Sequence, residues 1–260
     1  MSRDLVTIAG VLLEVAHWPG QGDPILLLHE GIGSVSMWRD FPPRLATSTG
    51  RGVIAWSRQG HGRSDRLTAA REPDYMHIEA ALVPQVMNAL DLDRAHLFGH
   101  SDGGSIALIA AALAPDRVAS LILEAPHVFV EPLTLASIAK IRAAYGDALR
   151  ERLGRHHEDP DHVFWSWNEI WLDPRFAGWN IEEDLRGVRA PALLIQGEDD
   201  EYGTLEQIDR TQALLPHARR LILADCGHSP HRDLTGGVLC AVAEFLGSIA
   251  PPRLIASVGR

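Results

Sequence analysis

An α/β class, built as a mostly parallel, doubly wound sheet with a helical cap insertion, is predicted by three features of this 260-residue chain. Short, almost wholly apolar runs recur along it and end in glycine turns. Stretches of helical periodicity separate those runs. One long segment, from about Phe129 to Gly187, holds helical patterns and charged turns but no strand-like run. Strands buried on both faces lose the polar–apolar alternation of half-solvated strands, because both rows of side chains must avoid water.

The elements justify this in order. Val11–Ala16 is a β-branched and leucine run closed by Pro19-Gly20, and Ile25–His29 runs straight into a turn at Gly31 and Gly33. Gly52–Trp56 repeats the design and ends in Gln59-Gly60-His61-Gly62. Tyr75–Leu90 spaces Ile78, Leu82, Val86 and Leu90 four apart, the stripe of an amphipathic helix. Ala95–Phe98 and Val118–Leu123 read as strands, with a small-residue helix Ser105–Leu113 between them that Pro115 stops. Ala192–Ile195 and Leu221–Leu223 give two more strands. Within the strand-free segment, Leu135–Leu153 and Val163–Leu172 read as helices, the second ended by Asp173-Pro174. The expected organisation is a core of residues 1–128 and 188–260 with residues 129–187 as a helical cap. The tail from Pro251 is expected to be poorly ordered.

Composition bounds the function. A formal charge of −10 argues against a nucleic-acid partner, since phosphate binding needs a concentrated basic face. No apolar run approaches the roughly 18 residues of a membrane span, and Met1-Ser2-Arg3-Asp4 opens no apolar signal segment. Cys226 and Cys240 are too few for a disulfide framework. A soluble, cytoplasmic protein acting on a small molecule is expected, with neither nucleic acid nor membrane as partner; no oligomeric state is read from the sequence.

Chemistry concentrates at the strand ends. After Ala95–Phe98 comes Gly99-His100-Ser101-Asp102-Gly103 and then a helix. The G-x-S-x-G pattern alone is a weak signal in a chain with 23 glycines. Its place between strand and helix is the strong part, because that turn lifts a serine hydroxyl above the sheet. The helix beginning at Asp102 also aims free N–H groups at any oxyanion formed there. A serine needs a base, and among 13 histidines His228 is the best placed, on a loop after the last strand in Cys226-Gly227-His228-Ser229. The orienting acid is sought in Gly197-Glu198-Asp199-Asp200-Glu201, with Asp200 first and Asp199 behind it. Glu124, closing the apolar strand Val118–Leu123, is the rival.

Together with His29-Glu30-Gly31-Ile32-Gly33-Ser34 and Gly60-His61-Gly62-Arg63-Ser64, these pieces resemble the α/β-hydrolase superfamily, in particular bacterial carboxylesterases and lactonases with a G-H-S-D-G-G elbow. The resemblance implies Asp200 as the acid and an oxyanion hole from the backbone N–H groups of Gly31 and Asp102. Two positions depart from the pattern: Glu30 stands where the glycine of a His-Gly pair is usual, and Ser57 replaces a frequent aspartate.

A serine rather than an aspartate at the elbow points to attack on a carbonyl. The expected activity is cleavage of a carboxylic ester or lactone of a small apolar substrate through an acyl-enzyme, without a cofactor. A carbon–carbon bond hydrolase and a hydrolase-like ligand receptor are the alternatives. His156-His157-Glu158-Asp159 lacks the spacing of a zinc site, so no metal is expected. Glu30 is a candidate pocket residue. In the cap, Phe164, Trp167 and Trp171 fall on one helical face, which either packs the cap onto the body or walls the Ser101 pocket, with Trp167 and Trp171 as its lining.

Overall fold

The computed structural model describes residues 2–249; the expectation for the tail from Pro251 lies outside them. Eight strands form one sheet: β1 (Ser2–Ile8), β2 (Val11–Trp18), β3 (Ile25–Leu28), β4 (Val53–Trp56), β5 (Ala95–His100), β6 (Val118–Glu124), β7 (Ala192–Gly197) and β8 (Arg219–Leu223). Their order across the sheet is β1-β2-β4-β3-β5-β6-β7-β8, with β1 and β2 antiparallel and the remainder parallel.

Successive residues of the central strands feed opposite cores. Leu26, Leu28, Leu97, Leu121, Leu123 and Leu194 join one cluster, shared with α2 (Tyr75–Ala89) and α3 (Asp102–Leu113). Ile25, Leu27, Phe98, Ile122 and Ile195 join the other, shared with α1 (Phe41–Thr49) and α9 (Thr235–Ser248). This is the doubly wound arrangement the continuous apolar runs require, and each fully buried leucine or isoleucine contributes about 2 kcal/mol to it.

Three local expectations need correction. The buried face of α2 is carried by Met76, Ala80, Val83 and Met87, whereas Ile78 is 56% exposed. A strict four-residue spacing drifts against a 3.6-residue turn, so the stripe runs off the face that packs. The expected helix Leu135–Leu153 is two, α4 (Pro132–Ala143) and α5 (Asp147–Gly154), split where Gly146 adopts an extended conformation as the cap of the second. Strand β1 has no counterpart in the sequence reading, because it lies at the sheet edge and most of its residues are exposed.

Between β6 and β7 the chain holds α4, α5 and α6 (Pro160–Trp171), a short bridge from Phe129 to Asn180, and a single helical turn at Asp184–Gly187. The remaining helices are α7 (Glu206–Leu214), after β7, and the short α8 (Pro230–Asp233), before α9. No helix among the described residues is long and apolar enough to cross a membrane.

Candidate active site

Strand β5 delivers its last residues, buried throughout, to a turn at Ser101, where the backbone takes φ 54° and ψ −121°. A non-glycine residue in that region carries on the order of 1–3 kcal/mol of strain and persists only where its surroundings enforce it. They do. The Ser101 N–H donates to the Glu124 carbonyl at 2.9 Å. A side chain at Gly99 would place its first carbon 2.2 Å from the Gly103 oxygen, and one at Gly103 would lie 2.1 Å from the Leu28 oxygen. Those two glycines let strand, helix and the end of β3 meet at one point. The hydroxyl of Ser101 is thereby held above the carboxyl ends of the strands, where an open parallel sheet places its ligand.

His228, on the loop after β8, accepts the Ser101 Oγ hydrogen bond on Nε2 at 2.9 Å. Its Nδ1–H donates to Asp200, at 2.8 Å to Oδ1 and 3.0 Å to Oδ2. Asp200 lies just beyond β7 and is fixed in turn: Gln196 Nε2 donates to Oδ2 at 2.8 Å, and the N–H groups of Tyr202 and Gly203 donate to Oδ1 at 2.8 and 3.2 Å. The imidazole loop is held from behind by His100, whose Nε2–H donates to the His228 carbonyl at 2.7 Å.

The loop following β3 is oriented through its carbonyl groups. Arg58, itself buried, donates to the His29 oxygen at 2.6 Å and to the Glu30 oxygen at 2.9 Å. His157 Nε2–H donates to the Ile32 oxygen at 2.9 Å while its Nδ1 accepts from the Gly62 N–H. His61 Nδ1–H donates to the Gly33 oxygen at 3.1 Å, its other nitrogen accepting from Arg71. The carbonyl groups of His29, Glu30, Ile32 and Gly33 are thus engaged in the body of the protein, while the N–H of Gly31 is without an acceptor among the described residues. The N–H of Asp102, first residue of α3, is in the same condition.

Ser101 and His228 open onto a cavity of about 170 Å³ whose other walls include Gly31, Ile32, Ile141, Trp167 and Tyr202. A larger groove of about 630 Å³ lies between residues 66–72 and α6 and contains none of Ser101, His228 or Asp200. Its charges pair with one another, Arg175 with Asp173 and Arg66 with Asp159, so the smaller cavity is where chemistry is available.

A family profile described as "alpha/beta hydrolase fold" matches residues 23–161. The chain belongs to the α/β-hydrolase family. It is 26% identical to a 2-hydroxy-6-oxo-2,4-heptadienoate hydrolase of Pseudomonas putida over 94% of this chain and 96% of that one. It is 34% identical to the dihydrolipoyllysine-residue acetyltransferase component of an acetoin cleaving system, also of Pseudomonas putida, over 92% of this chain and 68% of that one. A meta-cleavage product hydrolase from Pseudomonas fluorescens IP01 superposes with a TM-score of 0.73 at 21% identity, covering 94% and 97% of the two chains.

Electrostatics in this α/β hydrolase divide its histidines. Burial acts to lower the His228 pKa, but the Asp200 charge and hydrogen bond, with Glu201 and Glu30 further off, outweigh it and leave the imidazole above its ordinary value. Burial likewise works to raise Asp200, and the facing His228 and the Tyr202 N–H hold it below the usual carboxylate range. His29, His61 and His100 are driven well below the ordinary value, first by burial and then by neighbouring charges. They are neutral hydrogen-bonding groups, and in His29 and His61 a ring nitrogen accepts, from the Arg58 N–H at 3.1 Å and from Arg71 at 3.1 Å, which a protonated ring could not do.

The structure brings together Ser101, His228, Asp200, Gly31, Glu30 and Trp167. It separates three other candidates. Asp199 faces solvent. Glu124 is fully buried but accepts from His231 Nδ1 at 2.7 Å, not from His228. Trp171 does not line the cavity: its indole N–H donates to Asp102 Oδ1 at 3.2 Å, and its ring packs edge-on against Phe176 and His127. One further turn of α6 carries it past the opening that Trp167 reaches.

Ile141, Tyr202, Arg58, His100 and His157 were not anticipated. Tyr202, whose ring lies 4.8 Å from that of His228, had a local signal in directly following the carboxylate run. His100 stands beside Ser101 in the elbow itself, and Ile141, Arg58 and His157 contact the site from distant parts of the sequence.

Proposed function

We propose that this α/β hydrolase is a serine hydrolase that cleaves a small carboxylic ester or lactone through an acyl-enzyme. Ser101 is the nucleophile, His228 the general base and Asp200 the orienting acid, with the N–H groups of Gly31 and Asp102 as oxyanion donors. The cap is residues 129–187, placed on a core of 1–128 and 188–260. The observation that carries the reading is the continuous contact from Ser101 Oγ through the His228 ring to Asp200, at 2.9 and 2.8 Å.

In this mechanism Oγ attacks the carbonyl carbon as its proton passes to His228 Nε2, and the carbonyl oxygen becomes an oxyanion facing the two free N–H groups. The tetrahedral species collapses by expelling the alkoxide, which takes the proton from Nε2. Water then repeats the sequence on the acyl-enzyme and releases the acid. Asp200, held ionised, favours the imidazolium formed at each step. A cavity of about 170 Å³ suits a small acyl group.

A second reading, hydrolysis of a carbon–carbon bond beside a ketone, draws support from the 2-hydroxy-6-oxo-2,4-heptadienoate hydrolase similarity. The same serine attack applies, with a carbanion equivalent as leaving group. Assaying purified protein with 4-nitrophenyl esters, simple lactones and a 2-hydroxy-6-oxo-dienoate separates the two. Turnover of esters or lactones, lost in Ser101→Ala by about 10⁶ in kcat, supports the first. Turnover of the dienoate alone supports the second.

A further inference from the structure

Beside the Ser101 cavity lies a second one, of about 320 Å³, and the two share Glu30, Ile32 and Ile141 as common wall. Four arginines line it: Arg39 after the β3 loop, Arg152 and Arg155 at the end of α5, and Arg232 on α8. Glu30 is the one carboxylate in its lining. Three segments far apart in sequence thus bring like charges to one space, in a chain whose formal charge is −10.

Neither Arg39 nor Arg152 has a carboxylate within ion-pair distance among the described residues. Arg155 pairs with Glu151 at the exposed surface, and Arg232 comes no closer than 3.8 Å to Glu30. Guanidinium groups that outnumber the carboxylates around them repel one another, and such a gathering is stabilised by an anion that sits among them. His156, on the same wall, reports the local field: burial first, and then Arg39, Arg232 and Arg155, push its imidazole down.

Resting on the hydrolase reading above, we infer that this second cavity is an anion subsite, and that the substrate carries a carboxylate or phosphate group remote from the carbonyl attacked by Ser101. Ile141 faces both cavities and Leu149 and Leu153 line the second, so the linking part of the substrate is aliphatic or aromatic. An overall negative protein repels anions at long range, whereas a local cluster of guanidinium groups attracts them within about one Debye length, some 8–10 Å. The subsite therefore selects for substrates long enough to reach it.

The test uses matched pairs: the 4-nitrophenyl monoester of adipic acid against its methyl-capped diester, and a 6-phosphohexanoate ester against its neutral 6-hydroxy counterpart. The anionic member of at least one pair is expected to have the higher kcat/KM, and which pair responds distinguishes carboxylate from phosphate. In the Arg39→Gln/Arg152→Gln double variant that preference should fall about tenfold, as should its sensitivity to added salt. An equal rate for charged and neutral members, or a preference untouched by the double variant, overturns the subsite. If no ester is hydrolysed, the ester reading fails instead. The subsite is then judged by calorimetric binding of adipate and of inorganic phosphate, which must weaken about tenfold in the double variant for the inference to stand.

Discussion

His231 donates its Nδ1–H to the Glu124 carboxylate at 2.7 Å, and both side chains are sealed from solvent. This histidine–carboxylate pair stands one strand away from the pair formed by His228 and Asp200, and the two are joined through His100, whose ring centroid is 5.0 Å from that of His231 and 5.2 Å from that of His228. Glu124 also presents its backbone oxygen to the Ser101 N–H. Its backbone holds the turn at Ser101, while Asp200 is the carboxylate in contact with His228.

The first prediction follows from this division. Asp200→Asn should lose at least about a hundredfold in kcat, since asparagine favours the wrong tautomer of His228. Asp199→Asn, at an exposed position, should lose less than about tenfold. Glu124→Gln removes a buried charge beside His231 and should lower the melting temperature while leaving kcat within about a hundredfold of wild type. Should Glu124→Gln abolish turnover in a folded protein while Asp200→Asn stays active, the roles are reversed.

A second prediction concerns pH. His228 must be neutral to accept the Ser101 proton, so kcat/KM should fall on the acid side as the imidazole protonates. Because Asp200 raises the His228 pKa against the effect of burial, the midpoint of that limb should lie above the ordinary value of about 6.5. Asp200→Asn removes the raising influence and leaves burial, so in the residual activity the midpoint should move down. A midpoint that stays in place in this variant would show that another group controls the limb.

The residues proposed as catalytic were legible as neighbours because each sits within a few residues of a strand end, so a short motif carries the whole local geometry. Ser101 and His228 needed only that, and Asp200 could be singled out from Asp199 by the family's spacing. What the sequence hid is relational. Arg58 reaches back to His29 and Glu30, and His157 reaches Ile32 from the loop between α5 and α6. No periodicity records such pairings. Trp167 and Trp171 share a helical face, as their four-residue spacing requires, yet one faces the cavity and the other an aspartate. Spacing fixes the face of a helix; what each successive turn meets depends on how that helix crosses its neighbours.

That difference yields a third prediction. A side chain on Gly31 would meet the Trp167 indole at 2.2 Å, so this ring lies directly against the oxyanion loop and closes one end of the cavity. Trp167→Ala should enlarge the pocket and shift the acyl-chain preference toward longer esters, read as a changed ratio of kcat/KM across the series. Trp171→Phe keeps the ring but removes the donor to buried Asp102, at a cost of about 1–3 kcal/mol in unfolding free energy. Its acyl preference should match the wild type. An unaltered preference in Trp167→Ala would assign that residue to packing alone.

The last prediction is about stability in acid. Besides His29, His61 and His100, burial holds His96 and His127 down at about 3 and His157 at about 4. In the unfolded chain each of these histidines protonates near the ordinary value of about 6.5, while the folded protein keeps them neutral. Below that pH the unfolded state therefore binds more protons, and stability declines as pH falls, by about 1.4 kcal/mol per pH unit for each histidine. His228 acts in the opposite sense. Its raised folded pKa gives a contribution fully present below its unfolded value and lost as pH rises through the folded one, so it is constant over the acid interval and leaves the slope of the six unchanged. Urea unfolding at pH 7, 6 and 5 should show free energies dropping by several kcal/mol per unit over the lower interval. His96 offers a clean check, because it lies on β5 away from the cavity and hydrogen-bonds only to Ser120, at 2.7 Å. His96→Asn should reduce the slope by about one proton's worth without altering the pH profile of activity. A stability that is flat from pH 7 to 5 would mean that these histidines protonate in the folded protein, and that the bonds their ring nitrogens accept from the Gly62 and Arg58 N–H groups and from Arg71 are dispensable.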